Sequence, residues 1–422
     1  MTSLSLLLWI AGGIFLQVAT YLAIVFWRHW LEYQSLQGRA AALDLPATVA
    51  APVEDEAPAV AAWQGYRTFR VVRRVVEDVA HSICSFHLVP EDGKALPGFL
   101  PGQFLTFRLD IPTATGGTEQ IIRCYSLSDA PSADGYRVSI KKVPAPQGSA
   151  HPQGRSSNHF HDHVEVGSLL QVRAPSGHFH IDRSDAPVVL IGGGIGITPM
   201  LSMLEWALAE QPGREVWLFY GVRNGHEMIM KSRLESLAAA HPNFHLRVCF
   251  SDPKAEDVAV RDYQHRSRVD VHVLRMQLPL KPYHFYICGP TPIMEALVPA
   301  LEDWGVPDSR IHFEAFGPAS IKRRGAAQAT SVAASGATGI VVSFAKSGKE
   351  LNWQPGSGSL LDFAEANGIA VNSGCRAGGC GSCQTTIAAG EVSYNQAPDY
   401  DPEPGSCLLC VCTPKTNVTL EA

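Results

Sequence analysis

Apolar and polar positions change period several times along the chain, and each change marks a candidate element. Leu4 to Trp27 contains no charged residue, a run of 24 positions and enough to cross a bilayer as a helix. Trp9, Trp27 and Trp30 suit the two interfaces, and Arg28 follows the run at once. Gly38 to Ala62 is rich in Ala and Pro, has no amphipathic period, and reads as a tether. From about Trp63 to Pro175 the runs are short and strand-like between Pro and Gly turns. Phe69–Val72, Phe104–Phe107, Tyr136–Ile140 and Leu169–Val172 are the clearest, and they predict an antiparallel β-barrel or sandwich.

Near Asp185 the pattern changes again. Val188–Ile191 is a continuous apolar run of the kind that parallel sheets bury on both faces, and a glycine loop and an amphipathic run through Leu208 follow it. Further strands at Val216–Tyr220, Leu246–Phe250 and Phe285–Cys288, with a helix near Lys231–Ala240, predict a doubly wound α/β domain. Gly317 to Gly339 is a second linker of Ala, Ser and Gly after a basic start at Lys322-Arg323-Arg324. Strands at Ile340–Phe344 and up to Trp353 come next, then a helix from Ser359 to Asn367 closed by Gly368. The expected organisation is therefore a transmembrane anchor at 1–30, a linker at 31–62, a β-barrel at 63–184, an α/β domain at 185–317, a linker at 318–338 and a small domain at 339–422.

Composition narrows the picture. With 422 residues, 46% hydrophobic and 18% charged, the chain is globular and large enough for several domains. A formal net charge of -6 with no basic stripe argues against a nucleic-acid partner. Outside the C-terminal region the cysteines are scattered singly and form no secreted disulfide framework.

The exception is the stretch from Cys375 to Cys383. Cys375, Cys380 and Cys383 follow C-x4-C-x2-C, with a distant fourth cysteine, which is the plant-type [2Fe-2S] spacing. The rival reading of these cysteines is a structural zinc ribbon built on C-x2-C knuckles. Gly374, Gly378, Gly379 and Gly381 let the loop backbone pass close to a cluster. From about Ile340 to Ala422 the chain resembles the plant-type ferredoxins, which implies a β-grasp fold. The resemblance also chooses the fourth ligand. Leu408, Cys410 and Pro414 match the family's pattern around it, so Cys410 is the expected ligand and Cys407 and Cys412 read as small buried hydrophobes.

Within the barrel lies Arg123-Cys124-Tyr125-Ser126-Leu127-Ser128, with Pro101-Gly102-Gln103-Phe104 before it and Gly154-Arg155-Ser156-Ser157 after it. In this order the three motifs resemble the flavin domain of the ferredoxin–NADP reductase superfamily. Residue chemistry fits. Arg123 can make charge-assisted bonds to a diphosphate, Tyr125 offers a ring face and a hydroxyl, and Gly154, Ser156 and Ser157 offer backbone N–H groups and hydroxyls to phosphate. The resemblance implies FAD, with FMN as the alternative, and places Ser126 and Leu127 beside the flavin. Six nearby histidines, His151, His159, His161, His163, His178 and His180, read as ordinary sequence of the domain and not as a metal site.

In the α/β domain Gly193, Gly194, Gly196, Thr198 and Pro199 after the first strand, together with Cys288-Gly289-Pro290 and Glu314-Ala315-Phe316, resemble the pyridine-nucleotide module of the same superfamily. Glycines there admit a pyrophosphate to a helix N-terminus. The resemblance implies that Gly289, Pro290 and Phe316 line the nucleotide site and that Cys288 and Glu314 flank the nicotinamide, with Ser126 on the flavin side. Ser251-Asp252 occupies the place where NADPH users often carry Ser-Arg. An acidic residue favours NADH, and NADPH remains the alternative because Arg223 could reach a phosphate.

These resemblances imply an electron-transfer reductase, and the apolar run predicts that it is membrane-anchored. NADH reduces FAD, the [2Fe-2S] cluster follows, and a protein acceptor, membrane-associated and of the oxygenase, hydroxylase or desaturase kind, receives the electrons. The alternatives are a diaphorase acting on quinone, ferric chelates or a b-type cytochrome, and a non-turnover redox sensor. Arg28 and Arg39 after the apolar run predict a single-pass protein of the inner membrane with its reductase domains in the cytoplasm.

Overall fold

The computed structural model describes residues 63–113, 116–145, 153–316, 339–374, 376, 378–379, 381–394, 398 and 400–422, together with Gln17, Thr20 and Trp27. The chain divides into two compact units, Met1–Ala59 and Val60–Ala422. In the first, Gln17, Thr20 and Trp27 are helical and exposed, and the rest of the expected anchor and both expected linkers lie outside the described residues.

In the second unit the first domain is a six-stranded antiparallel sheet. Its strands are β1 (Arg67–Val76), β2 (Ile83–Pro90), β3 (Phe104–Pro112), β4 (Thr118–Ser126), β5 (Tyr136–Lys141) and β6 (Leu169–Ser176), in the order β4-β3-β6-β1-β2-β5. The end of β4 turns back onto β5 through a bridge between Leu127 and Val138, which joins the sheet's two edges. β2 and β4 did not show in the apolar pattern. β4 begins with exposed Thr118, Glu119 and Gln120, as an edge strand tolerates. Helix α1 (Arg155–His163) covers the barrel with Phe160, whose ring centroid lies 5.3 Å from Phe86, 5.3 Å from Phe107 and 5.2 Å from Tyr125. Such edge-on contacts add about 0.5–1.5 kcal/mol each beyond burial, and they fix α1 against β4.

The second domain is a five-stranded parallel sheet. Its strands are β7 (Val188–Gly193), β8 (Val216–Val222), β9 (Phe244–Phe250), β10 (His284–Gly289) and β11 (Ile311–Ala315), in the order β11-β10-β7-β8-β9. Helices α2 (Ile197–Glu210), α3 (Lys231–Ala240), α4 (Val271–Gln277) and α5 (Thr291–Asp303) connect them. All six residues of β7 are buried, which explains its unbroken apolar run. Strand order reverses between β7 and β10, so ligands are expected outside the carboxyl ends of those two strands. Arg214, fully buried, donates to the carbonyls of Asp182 and Ala186 at 2.9 and 2.7 Å and fastens the segment that joins barrel to α/β domain.

The third domain has the strands β12 (Ile340–Phe344), β13 (Lys349–Trp353), β14 (Gln384–Ala389), β15 (Val392–Tyr394), β16 (Ser406–Leu408), β17 (Cys412–Pro414) and β18 (Val418–Leu420). Five of them form a mixed sheet in the order β13-β12-β18-β14-β16. Helix α6 (Leu360–Ala366) starts at a capping box in which Ser359 and Asp362 bond each other's backbone N–H.

The inner-membrane localisation expected from the sequence is overturned. Among the described residues no helix is long and apolar enough to cross a membrane. The longest described helix, α2, has 14 residues. At 1.5 Å per residue such a helix reaches about 21 Å, short of the roughly 30 Å hydrocarbon core.

Candidate functional site

Strand alternation puts Arg123 and Tyr125 on one face of β4 and turns Ser126 to the other, where it is buried. The Tyr125 hydroxyl lies 2.8 Å from Ser156 Oγ on the first turn of α1. Burial pushes that phenol up to about 12, so it stays protonated and serves as a hydrogen-bonding group. Arg123 is exposed, and its guanidinium donates to the carbonyl of Ile122 at 2.7 Å. The start of α1 is pinned to Val143: Asn158 Nδ2 donates to the carbonyls of Val143 and Gly154 at 2.8 and 2.5 Å, and Val143 N–H donates to Ser157 Oγ at 3.3 Å. A Cβ on Gly154 would stand 2.8 Å from both Ser157 Oγ and Val143 Cβ, so the position has no room for a side chain. A helix N-terminus with a guanidinium and two serines close by fits the diphosphate of a flavin dinucleotide. Leu127 differs from the rest of the motif. Its side chain is wholly buried in the barrel core, and its N–H donates to the carbonyl of Gln103 at 2.9 Å.

At the other site two backbones meet. Gly193 ends β7, and Gly196 precedes α2. A Cβ on Gly196 would stand 2.2 Å from the carbonyl oxygen of Cys288, and one on Gly289 3.0 Å from Gly193 Cα. Gly194 has φ +55° and faces open space. Thr198 Oγ1 donates to the carbonyl of Ile195 at 3.0 Å, and Pro199 sits in the first turn, where its missing N–H costs nothing. Pro290 caps α5. The structure thus brings Gly193, Gly194, Gly196, Thr198, Pro199, Gly289 and Pro290 together at the strand-order reversal, a glycine-lined cradle that fits a pyrophosphate between two helix starts.

Cys288 pairs with Gly192 on one side and Glu314 on the other. Burial, and then the Glu314 carboxylate, push its thiol well above the ordinary range. The group is therefore a neutral thiol and not a nucleophile. Phe316 lies just past β11 and is exposed. Exposed Asp252 donates its N–H to the carbonyl of Arg223 at 2.8 Å, while the Arg223 guanidinium is paired with Glu227.

In the third domain Cys383 Sγ and Cys410 Sγ lie 3.1 Å apart, and Leu409 N–H donates to the carbonyl of Cys383 at 3.2 Å. Cys375 and Cys380 lie outside the described residues. Two converging sulfurs beside a glycine-rich turn are half of the four-thiolate set that a [2Fe-2S] cluster takes. Cys407 and Cys412 are free and wholly buried together in the domain core. Arg376 takes the left-handed conformation, φ +57°, and pairs with Glu365 and Asp362 of the α6 segment. Gly378 and Gly381 have φ of +74° and +72°, conformations that a side chain would strain.

Gly379 has a different role from the one its motif suggests. A Cβ there would stand 2.9 Å from Ser176 Oγ and 3.1 Å from Phe104 Cζ, both in the barrel. Phe104 is the cross-strand partner of Ser126 on one side and of Ser176 on the other. Adjacent strands are about 4.8 Å apart, so the cluster loop stands roughly two strand spacings from Ser126. No feature of the sequence pairs Phe104 or Ser176 with Gly379, because the contact joins domains more than two hundred residues apart.

Three family models match the chain in order: an oxidoreductase FAD-binding domain at residues 71–181, an oxidoreductase NAD-binding domain at 190–298 and a 2Fe-2S iron-sulfur cluster binding domain at 343–415. The FAD/NAD-binding domain of the nitric oxide dioxygenase of Vibrio cholerae O1 biovar El Tor is 33% identical, with TM-score 0.52, and the match covers 60% of this chain and all of that one. The chain belongs to the FAD- and NAD-binding oxidoreductases. It carries a 2Fe-2S domain besides, and FAD, a nicotinamide dinucleotide and a [2Fe-2S] cluster are its cofactors. The flavohemoprotein of Bacillus thuringiensis subsp. konkukian is 38% identical over 268 residues, 63% of this chain and 65% of that protein. That of Bordetella pertussis is 39% identical over 261 residues, 61% and 62% of the two chains. The oxidoreductase thus spans less than two thirds of these relatives. Phthalate dioxygenase reductase shares the fold over 85% of this chain and 98% of its own, at 24% identity and TM-score 0.50.

Proposed function

We propose that this oxidoreductase prefers NADH and delivers its electrons through the cluster to a protein acceptor of the oxygenase kind. The observation that carries the reading is the seating of Gly379 on Phe104 and Ser176, where Phe104 is the cross-strand partner of Ser126. It puts the cluster loop against the strand whose neighbour bears the flavin motif. Bound together, the cofactors supply the redox chemistry, taking two electrons as hydride and releasing them singly. The chain's own residues bind and orient. The Gly196–Cys288 crossing leaves a floor without side chains for the nucleotide, Cys288 stays neutral beside it, and Ser126 offers a buried hydroxyl on the flavin side. Asp252 repels a 2′-phosphate, and Glu227 occupies the guanidinium of Arg223, so charge favours NADH. Phthalate dioxygenase reductase, with the same three-domain fold, is by its name the reductase of a dioxygenase, which supports an oxygenase component as acceptor.

The test compares two acceptors in the intact protein and in Cys410→Ser. Ferricyanide takes electrons directly from reduced flavin, whereas cytochrome c reports on the cluster. The variant should keep NADH–ferricyanide activity and lose NADH–cytochrome c activity. Cytochrome c reduction that survives loss of the cluster would favour the diaphorase reading.

A further inference from the structure

The guanidinium of Arg173 on β6 is stacked between two tyrosine rings. Its carbon lies 4.9 Å from the centroid of Tyr66 and 4.7 Å from that of Tyr400. Arg108 on β3 stacks on Tyr66 at 4.4 Å, so the four side chains alternate cation and ring. Arg173 Nε is buried and has no hydrogen-bond partner among the described residues. The side chain is therefore held by ring faces, a contact that strengthens as water is excluded. Arg173, Arg108 and Tyr66 belong to the barrel, and Tyr400 belongs to the third domain.

Tyr400 also holds the cluster loop. Its N–H donates to the carbonyl of Gly378 at 3.0 Å, and its ring fills the space where a Cβ on Gly381 would stand, 2.6 Å from the ring carbon Cζ. One residue thus grips the loop through its backbone and the barrel through its ring. Beside it Gly379 rests on Phe104 and Ser176.

We propose that Arg173 and Tyr400 form a clasp that seats the cluster loop on the flavin barrel, and that Arg173 is a positioning residue for electron transfer between the two. The inference rests on the proposed order of transfer. Among the described residues Arg173 stacks on Tyr66 and Tyr400, and its cross-strand partner on β3 is Thr106. Its effect is confined to the spacing between domains, and the rings need a planar cation to close the stack.

The experiment is stopped-flow reduction of the holoenzyme by NADH, following flavin and cluster absorbance separately, in wild type, Arg173→Met and Arg173→Lys. Met keeps the apolar stem and removes the cation. Flavin reduction and NADH–ferricyanide activity should be unchanged, as should the EPR signal of the dithionite-reduced cluster. Cluster reduction in Arg173→Met should slow about tenfold, the equivalent of one contact worth about 1.4 kcal/mol. Arg173→Lys should recover part of the rate. Equal cluster reduction in wild type and Arg173→Met overturns the clasp, and so does a loss of the EPR signal in Arg173→Met, which would make the residue structural. Tyr400→Leu with Tyr400→Phe repeats the test from the other side, and Phe should retain the rate. If NADH fails to reduce the cluster in wild type, the order of transfer itself is wrong, and that outcome is separate from failure of the clasp.

Discussion

Gly196 and Cys288 cross so closely that a Cβ on the glycine would stand 2.2 Å from the cysteine's carbonyl oxygen. Both atoms belong to backbone, so no side-chain rotation relieves the contact. Gly194, two residues earlier, faces open space, and a side chain there pays only for the left-handed φ of +55°. That strain is about 1 kcal/mol.

The two glycines should therefore respond differently. Gly196→Ala should displace the loop and raise KM for NADH by at least about tenfold, with FAD still bound. Gly194→Ala should lower Tm by a few degrees and raise KM less. Steady-state kinetics and thermal melts of the two variants decide it. Equal effects would mean that conformation, and not the crossing, governs the loop.

The sulfur geometry gives the second prediction. Cys410 Sγ meets Cys383 Sγ at 3.1 Å, whereas Cys412 is turned into the core against Cys407. Cys410→Ser should lose the [2Fe-2S] absorbance and EPR signal and keep FAD. Cys412→Ala removes one small buried side chain, costs about 1–2 kcal/mol and should keep both cofactors. The reverse result would reassign the ligand.

What could be read beforehand followed from local chemistry. Val188–Ile191 announces a parallel strand because every side chain there is buried, and the helix from Ser359 is legible because Gly368, with φ +67°, closes it. β4 was hidden because an edge strand needs no apolar alternation, although the motif at its end was legible. Gly379 was legible as a loop glycine but not as the seat of Phe104, and the Arg173–Tyr400 stack was not legible at all. Both are contacts between domains, and neither leaves a period or a spacing in the chain. The apolar run at 4–27 was the opposite case: its composition suits a membrane span, and no described helix supplies one.

Asp252 lies beside Arg223, whose guanidinium is held by Glu227. Asp252→Arg turns a repulsion of the 2′-phosphate into an attraction. The ratio of kcat/KM for NADPH to that for NADH should rise about tenfold, roughly 1.4 kcal/mol. The rise should shrink at high salt, because the site is exposed. An unchanged ratio would remove Asp252 from nucleotide choice.

The last prediction concerns the boundary between barrel and α/β domain. Glu205 on α2 accepts from Arg233 Nε at 2.5 Å through one carboxyl oxygen. Its other oxygen is buried, has no partner of hydrogen-bond geometry among the described residues, and lies close enough to Asp129 for their charges to interact. Burial, and then Asp129, raise Glu205 to about 7, while Asp129 is held below its usual range. Below about pH 7 the pair therefore shares one proton. The folded state binds this proton more tightly than the unfolded state, whose carboxyl titrates near 4.5. Stability from this group is present in full below pH 4.5 and is lost as pH rises towards 7. Glu205→Gln keeps a neutral donor towards Asp129 and an acceptor for Arg233, and it cannot ionise. The variant should gain in Tm relative to wild type as pH rises from 5 to 8, with the two nearly equal at the acid end. Melts across that range measure the difference directly. A constant difference would show that Glu205 titrates as an ordinary carboxylate and that Arg233 alone neutralises it.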